Sequence, residues 1–319
     1  MNKFITNKKF NKIPILFIIG HTASGKTKLS FKLSNLFPIK LINSDSTLIF
    51  RDMNIGTSKP NKEELIKYPY KIIDIRDPIQ KYSVLDFCRD SITSIYEILL
   101  CNKIPTFVGG SMFYIKTLLN GINLYSNLFI NFNIKKSIND INIYKIKNLY
   151  FKLNKNNLNI NNNKIIYKYI ENYFLIKNNS KFIGLNNISN KLFDIYQIII
   201  INEDKTNINK KIKFRFYKMI DDGFENEVLN LFNRGDLDYN KQSIKSIGYK
   251  QMWDYFSNKI SYKDMINNSI KSTINLYKKQ INWINNWKFK FKKFNTDNNS
   301  INKLIHHIKN IIKNYNYNI

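Results

Sequence analysis

The sequence predicts an α/β fold, a parallel sheet flanked by helices and interrupted by a helical insertion, and three observations carry that prediction. Residues 13–19 form a short apolar run bounded by Pro14 and Gly20, and a glycine-containing loop then leads into residues 26–37, where Leu29, Leu33 and Leu36 recur at helical spacing. Strand-like and helix-like runs alternate after it, the pattern of parallel strands joined by crossover helices. From about residue 125 to residue 191 the character changes: Asn, Lys and Ile dominate and glycine nearly vanishes.

Taken in order, residues 13–19 read as a strand because an unbroken apolar run suits burial on both faces of a sheet. Further strands are expected at 40–43, 71–74 and 104–108, with helices at 84–100 and 112–119, so residues 1–124 make the first part of the core. Residues 125–190 hold enough Ile, Leu, Tyr and Phe to favour a helical insertion with a drifted surface over disorder. A β-like run at 194–201 returns the chain to the sheet, and helical patterns at 206–222, 225–234, 247–256 and 262–287 complete the core within residues 191–319.

Composition bounds the function. With 319 residues, 43% apolar and 14% aromatic, the chain can bury a sizeable core. The formal charge of +28 is compatible with an RNA partner. It is not evidence for one: arginine occurs only at Arg51, Arg76, Arg89, Arg215 and Arg234, and the abundance of Lys, Asn, Ile and Tyr is what drift towards A and T would produce in any gene. Cys88 and Cys101 have neither zinc-ligand nor disulfide spacing, so they are expected to be core thiols of a reduced, cytoplasmic protein. No apolar run is long enough to span a bilayer, and the basic stretch "MNKFITNKKFNK" lacks the cleavage site of a signal peptide.

"GHTASGKT", residues 20–27, fits the phosphate-cradle pattern G-x-x-x-x-G-K-[ST] between a strand and a helix, which makes the expected core P-loop NTPase-like. Gly20 and Gly25 let backbone N–H groups converge on phosphate oxygens across His21, Thr22, Ala23 and Ser24, the helix N-terminus adds its dipole, and Lys26 adds a point charge. Thr27 is the residue expected to place a hydroxyl on Mg²⁺. The next loop, "INSDSTLIFRDMNIGTSKP", lies at the same carboxyl edge of the sheet. Asp45 in it suits either a helix N-cap or a general base facing the cradle.

These blocks, together with "DIRDPIQKYSVLDFCRD", "PTFVGGSMFYIKTLLNG", "FRFYKMIDDGFENEVLNLFNRGDL", "SIKSIGYKQMWDYF" and "YKKQINW", resemble the tRNA dimethylallyltransferase family, in order and over nearly everything outside residues 125–190. The resemblance implies that the cradle holds the diphosphate of dimethylallyl diphosphate rather than ATP. It implies an acceptor in the anticodon stem-loop of tRNA, the exocyclic amine of the adenosine immediately 3′ of the anticodon, with diphosphate as leaving group. It further implies that Asp45 takes the amine proton, that the Ser111 hydroxyl helps hold the amine, and that Arg215 joins Lys26 and Mg²⁺-bound Thr27 on the diphosphate. Asp45, Ser46, Thr47, Leu48 and Ser111 match positions that touch the RNA. Lys245, Ser246, Ile247, Gly248, Tyr249 and Lys250, the helix carrying Lys278 and Lys279, and Lys164 and Lys168 in the insertion match further RNA-contacting segments. A monomer is implied as well.

The departures fall at His21, where the family usually has proline, at Ser111 for threonine, and at Ile165 and Ile274, where arginine is expected. The last two losses bear on RNA affinity more than on chemistry, since lysine serves phosphate contacts without bidentate geometry. Gly109 and Gly110 suit either close backbone approach or a plain turn, and His306 and His307 are expected at the surface or at a helix end. Competing readings are transfer to free adenine nucleotides, an ATP-dependent kinase, and an inactive RNA-binding relic. Few arginines argue against a kinase, and intact Lys26, Thr27, Asp45 and Arg215 argue against a relic.

Overall fold

The apolar runs become the strands of a six-stranded parallel sheet in a computed structural model that describes residues 12–123, 181–185, 193–202, 205–315 and 317. Strand β1 (Ile13–Gly20) is followed by helix α1 (Lys26–Leu36), β2 (Ile39–Asn43), α2 (Lys62–Lys67), β3 (Tyr70–Lys71), α3 (Val84–Leu100), β4 (Ile104–Gly109) and α4 (Met112–Asn120). Strands β5 (Gly121–Asn123) and β6 (Lys181–Ile183) form a separate antiparallel pair. Then come β7 (Phe193–Ile201), α5 (Lys205–Asp221), α6 (Phe224–Phe232), α7 (Tyr249–Phe256), α8 (Tyr262–Asn285), β8 (Lys292–Asn295) and α9 (Asn298–Lys313).

The chain divides into two compact units, Met1–Tyr114 with Asp194–Ile319, and Ile115–Phe193. The first holds the sheet, in the order β3-β2-β4-β1-β7-β8. Because β4 inserts between β1 and β2, the strand order reverses beside β1, and the loops after β1, β2 and β4 share the carboxyl edge where ligands bind in open α/β sheets. Alternate residues of each strand feed the two faces. Leu16 and Ile18 pack with Leu29 and Leu33 of α1 and with Leu304, Ile308 and Ile311 of α9. Phe17 turns the other way and stacks on Phe107 with ring centroids 4.6 Å apart, and Phe107 meets Phe87 of α3 edge-on.

Most sequence-predicted elements form with bounds shifted by one or two residues, and α3 has the bounds expected. The expected strand at 71–74 shortens to Tyr70–Lys71 because Ile72 and Asp74 adopt left-handed backbone conformations, φ 64° and 54°, which end the ladder. Strand β8 was not expected, and helix α9 gives bounds to the C-terminal helix expected within residues 191–319. The exposed Lys292 and Lys293 of β8 carry the charge that blunts an edge strand, and this disguises it as a loop in the sequence. Cys88 is buried as expected, whereas Cys101 is exposed, at the C-cap of α3. His306 and His307 lie within α9 rather than at its end; His306 is exposed and His307 stacks over Phe294. Among the described residues no helix is long and apolar enough to cross a membrane. Most of residues 125–190, including Lys164, Ile165 and Lys168, lie outside the described residues.

Candidate active site

The loop from Gly20 to Thr27 joins β1 to α1, with Gly25 at the N-cap position in a left-handed conformation, φ 76°. That conformation suits glycine and turns the first helical N–H groups towards the loop's concave side. Lys26 Nζ folds over the loop, donating to His21 O at 2.6 Å and Ser24 Oγ at 3.2 Å. Desolvation pushes its pKa down to about 8, Arg215 adds to the shift, and Asp45 opposes it.

Thr22 is held at all three of its polar groups. Its N–H donates to Gln280 Oε1 at 2.7 Å, its carbonyl accepts from His21 Nδ1 at 2.6 Å, and its hydroxyl accepts from Arg215 Nη1 at 3.4 Å. His21 is fully buried, receives the Asn202 N–H at Nε2, and presents its ring to the edge of Tyr277. Accepting at Nε2 fixes the tautomer with the proton on Nδ1. The replacement of the family's proline therefore does not loosen the loop; it anchors it.

Burial lowers the His21 pKa from its ordinary 6.5 to about 4, with the contact to Thr22 opposing and Lys26 and Lys211 contributing. Between those values the unfolded chain binds more protons than the folded one, so stability falls as pH drops from about 6.5 to about 4. Urea titrations across this range should show the wild type losing about 3 kcal/mol more than His21→Gln does. Equal losses in the two proteins would refute that account.

After β2, Asn43 organises the second loop: its side chain accepts from Asp45 N–H at 2.8 Å and donates to the carbonyls of Asp45 and Ile72, each at 2.9 Å. Asp45 caps no helix. Its Oδ1 accepts from Thr47 N–H at 3.1 Å and Thr47 Oγ1 at 2.8 Å, an Asx-turn. Among the described residues Oδ2 carries no hydrogen bond and remains available as a proton acceptor. Ser111, at the turn after β4, accepts Ser46 N–H at 3.0 Å through its hydroxyl and donates its own N–H to Ser44 O at 3.3 Å.

Gly109 and Gly110 are needed for close approach. A Cβ on Gly109 would stand 2.5 Å from the Ser44 backbone, and one on Gly110 would stand 2.8 Å from both Gly20 O and Gln280 Nε2. Three loops thus meet at one edge: the cradle, the Asp45 loop and the Ser111 turn.

Arg215 reaches this edge from α5. Its Nε donates to Ser58 Oγ at 2.7 Å and its Nη1 to Thr22 Oγ1, and among the described residues Nη2 carries no hydrogen bond. Burial lowers its pKa from the ordinary value, with Asp45 pulling the other way. Asp45 acts electrostatically on both Lys26 and Arg215, favouring the charged form of each.

Ser58 is in turn held by a loop that Glu227 organises. One Glu227 oxygen accepts the N–H groups of Asn54 and Ile55 at 2.8 Å, and the other accepts Gly56 N–H at 3.2 Å and Tyr249 OH at 2.6 Å. Sequence reading missed this residue, because a carboxylate among the charges of "GFENE" has no spacing that betrays four donors from two distant segments. Glu227→Gln turns an amide N–H₂ onto some of these donors and should lower unfolding stability by about 3 kcal/mol. Chemical denaturation checks this, and a loss under about 1 kcal/mol would show the loop to be held otherwise.

The family model described as IPP transferase matches residues 48–287, more than half of the chain. The chain belongs to the IPP transferase family. Among the relatives of this IPP transferase, the tRNA dimethylallyltransferase of Buchnera aphidicola subsp. Baizongia pistaciae is 40% identical over 296 residues, covering 90% of each chain. Another, named tRNA dimethylallyltransferase, from Buchnera aphidicola subsp. Acyrthosiphon pisum (strain APS), is 38% identical over 283 residues, 88% of this chain and 90% of the relative. The crystal structure of the full-length tRNA isopentenylpyrophosphate transferase of Bacillus halodurans superposes with TM-score 0.67 at 25% identity, covering 96% of this chain and 97% of that one. A eukaryotic dimethylallyltransferase captured acting on tRNA shares the fold, with TM-score 0.68 at 19% identity, over 95% of this chain and 80% of that one.

The segments of this IPP transferase expected to face RNA are not equally exposed. Lys278 and Lys279 of α8 and Lys245 are exposed, Ser46, Thr47 and Leu48 are half-buried, and so are Ser246, Ile247 and Lys250. Gly248 and Tyr249 are buried, and the Tyr249 hydroxyl is spent on Glu227. Their segment is positioned through Ser243 Oγ, which donates to Pro78 O at 2.6 Å, and Gln242, which exchanges two hydrogen bonds with the Tyr82 backbone. Ile274, at the position of the expected arginine, packs against Ile208, Ile212 and Tyr277 where α5 meets α8.

Proposed function

We propose that this IPP transferase moves a dimethylallyl group from dimethylallyl diphosphate to the exocyclic amine of the adenosine immediately 3′ of the anticodon in tRNA, releasing diphosphate and leaving N6-(dimethylallyl)adenosine. The observation that carries the reading is the grouping of charge at one sheet edge: a phosphate cradle with Lys26 folded over it and Arg215 at Thr22, and an Asp45 whose charge acts on both cations and whose Oδ2 carries no hydrogen bond among the described residues. Relatives at 40% and 38% identity bear the matching name.

The division of labour follows from charge. An adenine amine is a weak nucleophile whose proton must leave as the C–N bond forms, and Asp45 Oδ2 is placed to take it. The allylic C–O bond breaks with negative charge building on the departing diphosphate, so fixed cations beside the cradle lower the barrier most. Lys26 swings from His21 O and Ser24 Oγ to the diphosphate, and the ligand's charge restores what desolvation takes from its pKa. The Ser111 hydroxyl helps hold the amine.

Magnesium fits the donor set. Among the described residues no cluster of His, Cys, Asp and Glu could hold a metal by itself. Mg²⁺ at phosphate sites commonly takes one or two protein ligands and completes its shell with phosphate and water oxygens. The Thr27 hydroxyl at the start of α1 would be that ligand, and the ion would supply further charge neutralisation to the leaving group. The target base must leave its loop stack to reach Asp45, which costs a few kcal/mol. The exposed Lys245, Lys278 and Lys279 would hold the RNA backbone while it does so. The enzyme is read as a monomer.

Purified protein with Mg²⁺ and radiolabelled dimethylallyl diphosphate, offered unmodified tRNA or adenosine monophosphate with a parallel sample given ATP, tests the proposal. Label on tRNA is the expected result. Label on the nucleotide alone would assign a free-nucleotide acceptor, and consumption of ATP without transfer would assign a kinase.

A further inference from the structure

Gln280 is a neutral side chain, about nine-tenths buried, towards the C-terminal end of helix α8, and neither the oxygen nor the nitrogen of its amide serves its own helix. Its Oε1 accepts the N–H of Thr22, 258 residues away in sequence, and its Nε2 donates to the carbonyl of Gly110, 170 residues away, at 3.1 Å. One amide therefore ties the diphosphate cradle to the turn that carries Ser111. The exposed Lys278 and Lys279 immediately precede it, so the helix face expected to meet RNA and the cradle share one rigid element. Tyr277, one turn away, packs against Ile208 and Ile212 of α5, the helix that delivers Arg215.

We propose that Gln280 is a positioning residue for the transfer reaction. It fixes the cradle against the Ser111 turn, so that donor carbon and acceptor amine meet in line. This rests on the function proposed above.

The chemistry favours this over a merely structural amide. Thr22 N–H lies in the stretch whose backbone must converge on phosphate oxygens. By accepting that N–H, Gln280 decides which groups of the loop face the ligand and which face the protein. Gly110 can approach only because it lacks a Cβ, which would stand 2.8 Å from Gln280 Nε2. A spacer of wrong length or one-sided hydrogen bonding shifts the two loops relative to each other, and a displacement near 1 Å between reacting groups costs on the order of 100-fold in rate.

Two variants test it. Gln280→Met keeps the volume and removes both hydrogen bonds. With the fold intact by thermal melt, it should bind inorganic diphosphate about tenfold more weakly, hold tRNA within about threefold of wild type, and lose on the order of 100-fold in kcat. Gln280→Glu reproduces the amide's donor and acceptor only when protonated. The ratio of its transfer rate to that of the wild type should therefore climb as pH falls from about 8 to about 6, with burial raising the new carboxyl's pKa into that range.

A structural amide would lower the melting temperature of both variants without this pH-dependent ratio. Wild-type diphosphate affinity and kcat in a folded Gln280→Met, or a flat ratio in Gln280→Glu, would overturn the proposal. Should the wild type itself transfer no prenyl group, the functional reading fails, and the diphosphate measurement still decides whether Gln280 sets the cradle.

Discussion

Replacing Asp45 by Asn should lower turnover on the order of 100-fold or more while leaving tRNA affinity within about threefold. The substitution is isosteric, so the carbonyl oxygen can keep both contacts with Thr47 and the loop keeps its Asx-turn. What changes is the second oxygen, now an N–H₂ group that cannot take a proton from the adenine amine. A second effect acts on the donor side. Asp45 supports the protonated form of Lys26 against desolvation, so removing its charge should depress a pKa already lowered to about 8. Donor affinity of the variant should then weaken at lower pH than that of the wild type. Rapid-quench single-turnover measurement with labelled donor separates the two effects, and turnover near wild type would remove Asp45 from the role of base.

Arg215→Ala should cost 100-fold to 1000-fold in kcat, about 3 to 4 kcal/mol of transition-state stabilisation. The guanidinium is fixed at Nε by Ser58 and at Nη1 by Thr22, so its remaining N–H groups are held in place before the diphosphate arrives and need little reorganisation as charge develops. Arg215→Lys should recover only part of the loss, because an ammonium cannot hold Ser58 and Thr22 while also facing the ligand. Full activity in Arg215→Lys would show that charge alone suffices and that the fork geometry is incidental. The expected split is a large change in kcat with a smaller one in the donor KM, since the cation matters most when the C–O bond is breaking.

The parts of this site that could be read in the sequence are those whose chemistry demands neighbouring residues. A phosphate cradle needs Gly20, Gly25, Lys26 and Thr27 within one loop, and β1 and α1 around it follow from apolar run and periodicity. Asp45 was legible as a candidate because strand β2 ends just before it at the ligand-binding edge of the sheet, whereas Ser111 was legible only through the family resemblance of "VGGSMFY". Gln280 and Glu227 were not. Each acts through hydrogen bonds to the backbone of loops far away in sequence, and such contacts place no demand on the identity of the partner residues. The anchoring role of His21 was hidden for a related reason: its buried ring is held by the Asn202 N–H, a contact that only the folded sheet creates. Tyr249 entered through the match of "KSIGYK" to an RNA-contacting segment, and nothing in that match shows that Phe224 and the acceptor Glu227 draw the ring inward.

The account turns on what becomes of the phosphate held by Gly25, Lys26 and Thr27. The most direct measurement follows both products of a single turnover, the label on the anticodon-loop adenosine and the phosphorus released from doubly labelled dimethylallyl diphosphate. The account predicts intact diphosphate released in one-to-one ratio with prenylated exocyclic amine. Release of inorganic phosphate from the bound donor, or a phosphorylated RNA product, would contradict it.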